Sequence, residues 1–358
     1  MKVLFINHTS DRSEVELYLG LKAKGVDISL ILDPEDTATE KLRENGIEVT
    51  VTKIKNRYDF VFDNLLKKII KEKNINIIHA PTSRGLASAL RVVKGNFDIK
   101  LVSYRGTLGH LSRWSLLARQ THLSKRVDAI ICNCLAVKSY LVNQGVSEKK
   151  LYTIYKGHHV SWYQQGEAYT REDFKIAESA FVVGCIANLR PLKGIDVLVK
   201  AISYLKLGRP VVCLLVGENR IAHLTKLIDK LNLNHQIKLL GFRRDISRIL
   251  PICDVTVMPS VRREGFPRAI VESMSLNVPV ICSNIGGMPE IVDDHVNGLV
   301  VPANNILALS KALEVMAKDN DFRERAAIAC FETVQMKLSV EEYVTKTHNL
   351  YIDILKNA

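Results

Sequence analysis

Apolar residues come in short runs along this chain, separated by amphipathic stretches. KVLFIN, VDISLIL, IEVTVTK, INIIHA, KLVSYR and DAIICN succeed one another through the first half, rich in β-branched residues and nearly continuous in apolar character. Continuous apolar strands predict a sheet covered on both faces. Between several of them lie segments of helical period, such as residues 14–25 (EVELYLGLKAKG) and 60–73 (FVFDNLLKKIIKEK). Strands alternating with helices predict βαβ units and a parallel sheet. Residues 156–180 break the rhythm with a polar, aromatic segment of no strong period, which reads as an interdomain crossing. A second alternation follows: FVVGCIA, VVCLLVG, IKLLG, VTVMP, VPVICS and GLVVP, with helices such as IDVLVKAISYLK between them. One more amphipathic helix, from about Val340 to Lys356, closes the chain.

The expected fold class is therefore α/β, with two doubly wound Rossmann-like domains facing a cleft. A length of 358 residues supports this, being more than one core usually sustains. The expected bounds are 1–163 for an N-terminal domain and 164–339 for a C-terminal domain. Residues 340–358 are expected to form a helix that packs back on the first domain. In open α/β sheets, ligands sit beyond the carboxyl ends of the strands.

Hydrophobic content of 47% with 25% charged residues is that of an ordinary globular enzyme and does not indicate disorder. A net charge of +12 favours anionic partners: nucleic acid, anionic lipid or phosphorylated substrates. Nucleic acid is not expected, because aromatics are only 6% and no basic stripe with interleaved aromatics recurs. No run approaches the ~20 apolar residues that cross a bilayer, and MKVLFIN reads as a strand. The expected location is cytoplasmic, with peripheral attachment to the inner face of the cytoplasmic membrane. Cys132, Cys185, Cys213, Cys253 and Cys282 stand in apolar runs as small buried hydrophobes. Cys132 and Cys134 form C-x-C with no second pair at metal spacing, so no metal site is expected.

The richest candidate chemistry lies in PSVRREGFPRAIVESM, residues 259–274. Glu264 and Glu272 bracket a Gly-Phe-Pro turn and the start of a helix. Pro267 suits the first helical position, where its missing N–H costs nothing, and Gly265 lets the backbone approach a ligand. The free N–H groups of such a first turn bind anions. Glu272 lies about 7–8 Å further along at 1.5 Å per residue, roughly the reach of a diphosphate. The two carboxylates thus suit hydroxyls at the two ends of a nucleotide-sugar.

Arg190 and Lys193 stand in the turn between FVVGCIA and the next helix, where a βα loop aims cations at phosphate. An isolated pair of this kind is more often solvated surface charge. Gly217 and Glu218 end a strand in LLVGENR, and Phe242 in LLGFRRD suits either stacking on a base or core packing. Gly286-Gly287 permits a tight turn ahead of MPEIVDD, which reads as a helix, and lines the expected cleft. In the first half, SYRGTLGH offers Arg105, Gly106 and His110 at a strand end. RWSLLARQTHLSKR follows with Trp114 among cations, fitting an anionic acceptor or headgroup layer as well as a solvated helix. No P-loop appears, and NHTSDRSE replaces the Gly-rich fingerprint of a dinucleotide oxidoreductase. No Asp-x-Asp pair stands at a strand end to hold a metal with a diphosphate.

Taken in order, these motifs resemble the family 4 glycosyltransferases, which have the two-domain GT-B fold and retain configuration. The match runs through R-P-L-K-G (190–194), V-G-E (216–218), L-G-F-R-x-D (240–245) and C-D-V (253–255). It continues through P-S-V-R-R-E-G-F-P (259–267), Glu272, P-V-I-C-S-N-I-G-G-M-P-E-I-V (279–292) and N-G-L-V-V-P (297–302). The resemblance implies that Lys193 binds the donor diphosphate and Glu264 the hydroxyls of the transferred sugar. Gly265 and Phe266 offer backbone contacts, and Glu272 binds the ribose. Asn188 stands where the family often has arginine, with Arg190 two residues on. Arg105-Gly106 stands where the family often has His-Gly, leaving Arg105 or His110 as acceptor-side candidates. The implied reaction is metal-independent, retaining transfer from a nucleoside-diphosphate sugar to a glycan or lipid-linked hydroxyl in cell-envelope polysaccharide or lipopolysaccharide biosynthesis. Arg190, Lys193 and the helix near Pro267 carry the departing charge. No cofactor is expected beyond the nucleotide-sugar co-substrate. A nucleotide-sugar epimerase or phosphorylase on the same fold, and a non-catalytic sugar binder, are the competing readings.

Overall fold

The computed structural model describes residues 1–109 and 111–356 and contains two compact units. One comprises Met1–His158 together with the segment from Leu338 onward; the other comprises His159–Lys337. The chain thus divides five residues ahead of the expected first bound and two ahead of the second.

In the first unit the strands are β1 (Lys2–Ile6), β2 (Asp27–Leu32), β3 (Glu48–Val51), β4 (Ile77–Ala80), β5 (Lys100–Arg105), β6 (Ala129–Cys132) and β7 (Leu151–Thr153). They form a parallel sheet in the order β3-β2-β1-β4-β5-β6-β7. The order reverses between β1 and β4, so a crevice opens there at the carboxyl edge. The helix Arg12–Ala23 begins at this edge under a capping box, in which Asp11 accepts from the Glu14 N–H and Glu14 from the Asp11 N–H. The last helix, Val340–Lys356, packs against Arg12–Ala23, where Gly20 leaves room for Val344. Its Tyr351 hydroxyl meets buried His79 Nδ1 of β4 at 2.6 Å. Burial holds the His79 pKa down at about 3, so the imidazole is neutral.

In the second unit the strands are β8 (Phe181–Ile186), β9 (Val211–Val216), β10 (Ile237–Gly241), β11 (Val255–Met258), β12 (Val280–Ser283) and β13 (Gly298–Val301). They too are parallel, in the order β10-β9-β8-β11-β12-β13, with the reversal between β8 and β11. One sheet face packs with Leu198, Ile202, Leu313 and Met316, the other with Ile249, Leu250 and Val278. Burial on both faces accounts for the near-continuous apolar strands.

Two local expectations are corrected. MPEIVDD is not a helix but a single 3₁₀ turn, Met288–Glu290. The fully buried Asn297 takes the backbone instead, donating to the Ile291 carbonyl at 3.1 Å and accepting from the Asp293 N–H at 2.8 Å. Pro267 is the N-cap rather than the first helical residue, because its ψ of 117° is extended; the helix runs Arg268–Ser275. All seven cysteines are free and buried.

Candidate active site

The carboxyl edge of the second sheet is built by four loops that touch backbone to backbone. After β8 the chain turns through Ala187–Gly194, with a 3₁₀ turn at Pro191–Lys193, into the helix Ile195–Ser203. The loop after β9 crosses it: the Leu189 N–H donates to the Glu218 carbonyl at 3.0 Å, and the Arg220 N–H to Leu189 at 2.9 Å. The loop after β11 joins through the Val261 N–H and the Leu192 carbonyl, 2.9 Å apart. The loop after β12 closes the set, with the Gly287 N–H on the Gly265 carbonyl at 2.9 Å and the Ser283 hydroxyl on the Ser260 carbonyl.

Three glycines make these approaches possible. A Cβ on Gly194 would lie 2.0 Å from the Pro259 carbonyl oxygen, on Gly217 1.8 Å from that of Ala187, and on Gly286 1.8 Å from that of Glu264. Their φ angles are +66°, +142° and +63°, the region glycine favours. Arg263 also has positive φ, at +59°, in the residue before Glu264. An arginine there carries backbone strain, which persists only where surrounding structure fixes the chain.

At the centre, Lys193 and Glu264 meet beside the β8/β11 reversal. Lys193 Nζ donates to both carboxylate oxygens, at 3.0 and 2.8 Å, and the Ser260 hydroxyl donates to the Glu264 Oε2 at 2.8 Å. Both side chains are mostly covered, 18% and 11% exposed. The two groups expected to act separately, one on diphosphate and one on sugar hydroxyls, are thus bonded to each other. A ligand that engages either must exchange with the other.

The remaining predicted residues surround this pair in different ways. Arg190 and Asn188 are exposed, and the Arg190 guanidinium forms no ion pair among the described residues. Gly265 is buried and Phe266 half-buried, on the loop leading to the helix Arg268–Ser275, which no side chain caps. Such an end accepts an anion. Glu272 lies one turn into that helix, its side chain 14% exposed and paired with Arg268 at 2.9 Å. Burial raises its pKa and Arg268 opposes the rise. The two glutamates therefore have separate partners. Glu218 is exposed and paired with Arg220. Phe242 is 69% exposed, so the core-packing alternative for it is excluded.

In the first unit, Arg105 ends β5 but spends its guanidinium on its own loop, donating to the carbonyls of Thr107 at 3.1 Å and Gly109 at 2.5 Å. In this position the guanidinium braces the loop. Gly106 is held by Asn133 Nδ2, which donates to its carbonyl at 3.0 Å. His110 lies outside the described residues.

Sequence reasoning missed Ser260, whose only signal is its place after an apolar strand. It also missed His122, which lies between Ser103 of β5 (2.7 Å) and the exposed Ser83 (3.1 Å). Burial, with Arg105 and Arg57 nearby, lowers the His122 pKa to about 4. A third group missed is Lys156, which bridges Asp11 (2.6 Å) and Glu14 (3.1 Å). Burial raises the Glu14 pKa against the pull of Lys156. The loop after β1, where a dinucleotide fold has glycines, is filled instead by this ion cluster.

Comparison with known proteins agrees with this architecture. Residues 168–330 match the family described as Glycosyl transferases group 1, and residues 12–162 match Glycosyltransferase Family 4. An uncharacterized glycosyltransferase of Methanocaldococcus jannaschii is 28% identical over 267 residues, 72% of this chain and 70% of that protein. The UDP-Gal:alpha-D-GlcNAc-diphosphoundecaprenol alpha-1,3-galactosyltransferase of Escherichia coli is 30% identical over 187 residues, 51% of this chain and 48% of its own length. Among solved structures, Anabaena HepE in complex with UDP superposes with a TM-score of 0.79 at 23% identity, covering all of both chains. A glycosyltransferase from Rickettsia africae superposes at 0.83 and 22%, over 100% of this chain and 99% of its own. These likenesses carry the fold, and the two family matches take in most of the sequence: the chain belongs to the family 4 glycosyltransferases and has their GT-B fold.

Proposed function

We propose that this glycosyltransferase takes its sugar from a nucleoside-diphosphate sugar, with retention of configuration and without a metal, and passes it to a hydroxyl of a glycan or lipid-linked acceptor in envelope polysaccharide or lipopolysaccharide synthesis. The observation that carries the reading is the Lys193–Glu264 pair with Ser260, set at the reversal of the six-stranded sheet and walled by four backbone-bonded loops. On donor binding, Lys193 turns from Glu264 to the diphosphate and Glu264 turns to the sugar hydroxyls. Each exchanges one charge-assisted contact for another, so neither is left buried and unpaired.

Arg190 and the uncapped helix end at Arg268 add positive potential where the leaving diphosphate gains charge. Gly265 and Phe266 approach the sugar through their backbone, and Glu272 takes the ribose, exchanging Arg268 for its hydroxyls. Asn188, Gly217, Glu218 and Phe242 complete the nucleotide's surroundings, with Phe242 offering an exposed face for the base. The acceptor hydroxyl attacks on the face the diphosphate leaves, and Gly106 and the β5 loop meet the acceptor. UDP and UDP-glucose in the HepE complexes support a nucleotide-sugar donor. The diphosphoundecaprenol acceptor named for the galactosyltransferase, and an O-antigen biosynthesis glycosyltransferase of Escherichia coli 24% identical over 288 residues (80% of this chain, 74% of its own), support an envelope acceptor. A cytoplasmic place against the inner membrane face belongs to the same reading.

The test is transfer from a panel of nucleotide-sugars, with the anomeric configuration of the product read by NMR. Retained configuration, lost on Glu264→Gln or Lys193→Ala, is expected. Inverted product, or full transfer by either variant, contradicts the proposal.

A further inference from the structure

Two stretches of the first unit, far apart in sequence, meet at the carboxyl edge of its sheet. One leaves β3 and enters the helix Phe60–Lys73; the other leaves β5 and forms the short helix Leu116–Arg119. Arg57 joins them, donating to the Leu117 carbonyl at 3.5 Å. Around this join Tyr58, Phe60, Val61, Trp114, Leu116 and Leu117 are 56 to 79% exposed. A single exposed leucine is ordinary, but a cluster of large apolar side chains marks a surface that is covered in use.

Its rim is cationic and uncompensated. Arg57, Arg84, Arg113 and Arg119 make no ion pair with a carboxylate among the described residues. Arg84 and Arg119 hold only the backbone carbonyls of Ile54 and Arg113, and the Arg113 guanidinium lies 5.0 Å from the centre of the Trp114 ring. The nearby acids are already used: Asp59 caps the helix Phe60–Lys73, and Asp63 pairs with Arg91.

We propose that this surface docks on an anionic bilayer, the six apolar side chains entering the headgroup–acyl boundary and the four arginines meeting lipid phosphates. Aromatic and aliphatic side chains among unpaired cations are the composition that lies in such an interface. Each cation near an anionic surface contributes roughly a factor of five in binding. A second copy of this chain is a poor occupant, because a symmetric contact would set the same arginines against each other. The edge is also the one carrying Arg105 and Gly106. Where the proposed lipid-linked acceptor holds, the same bilayer presents it there; the docking itself does not depend on that reading.

The test is co-sedimentation with vesicles of phosphatidylcholine alone or mixed with phosphatidylglycerol, beside calorimetric titration with a nucleotide-sugar. Binding to the mixed vesicles, weakened by salt and absent from the neutral ones, is expected. Trp114→Ser with Leu116→Ser should weaken it at least about tenfold. Arg113→Gln with Arg119→Gln should weaken it by roughly 25-fold. Because these side chains are exposed, melting temperature and nucleotide-sugar binding should stay as in the wild type. Equal recovery in the supernatant with both vesicle types, or undiminished binding by either double variant, overturns the docking while leaving the donor reading intact. A concentration-dependent dimer lost in the Trp114/Leu116 variant, without vesicle binding, gives the surface to a second copy and also overturns it. Vesicle binding without any nucleotide-sugar titration sustains the docking and removes the proposed reaction.

Discussion

Replacing Gly286 by alanine should disrupt the loops that carry Glu264 and Gly287. The new Cβ would lie 1.8 Å from the Glu264 carbonyl oxygen and 3.2 Å from the Glu264 Cβ, at a φ of +63°. A backbone carbonyl cannot swing aside like a side-chain tip, so the loops after β11 and β12 must part by more than an ångström. The left-handed conformation costs alanine about 1–2 kcal/mol. Parting the loops gives up the Gly287 N–H to Gly265 hydrogen bond, about 1 kcal/mol, and forfeits packing around it. The total is about 3–4 kcal/mol, which lowers the melting temperature of the unit by roughly 10 °C. Differential scanning calorimetry measures it, with Gly208→Ala as control. Gly208 has nothing within 4 Å of its would-be Cβ and no positive φ, so alanine there should be neutral or slightly stabilising. If Gly286→Ala melted within about 1 °C of the control, the account of these loops as mutually fixed would be wrong.

Three further outcomes follow from the same geometry. Lys193→Ala leaves the mostly covered Glu264 carboxylate with only the Ser260 hydroxyl and should cost about 2–3 kcal/mol; Lys193→Met with Glu264→Gln should recover most of it in denaturant melts. Stability should fall as pH drops below about 6.5, the ordinary histidine value. Burial depresses the folded pKa values of His79 and His122, to about 3 and about 4, so the unfolded chain binds protons first. The slope is about 1.4 kcal/mol per pH unit for each, and a flat melting temperature from pH 7 to about 5 would contradict it. The cysteines should resist a thiol reagent until the protein unfolds. All seven are buried, and burial pushes Cys132, Cys185 and Cys253 up to about 12. Stoichiometric labelling of the native protein would overturn this.

The strands were legible in sequence because burial on both faces leaves one physical signature, a continuous apolar run. β7 escaped because it is three residues long and only Leu151 is buried. The site was legible as a set of loop motifs at strand ends, but its contacts were not. The partner of Lys193 stands 71 residues away, and nothing local to either residue reports the pairing. Gly286 could be read as a turn residue, whereas its necessity comes from the carbonyl of Glu264 on another loop. Trp114 was visible among its cations, but Phe60 and Val61 sit in an amphipathic helix whose period promises burial. Their exposure is decided by which face the helix turns inward, that of Phe62, Leu66 and Ile69, a tertiary fact.

In the proposed reaction the crevice around Lys193 and Glu264 holds a nucleoside-diphosphate sugar, and the decisive measurement is calorimetric titration of a nucleotide-sugar panel into wild type and Lys193→Ala. Saturable one-to-one binding of at least one donor is expected, weakened about 30-fold or more by the substitution, an amount set by one lost charge-assisted contact of about 2 kcal/mol. Binding of equal strength in both proteins, or no binding by any donor in the panel, would contradict it.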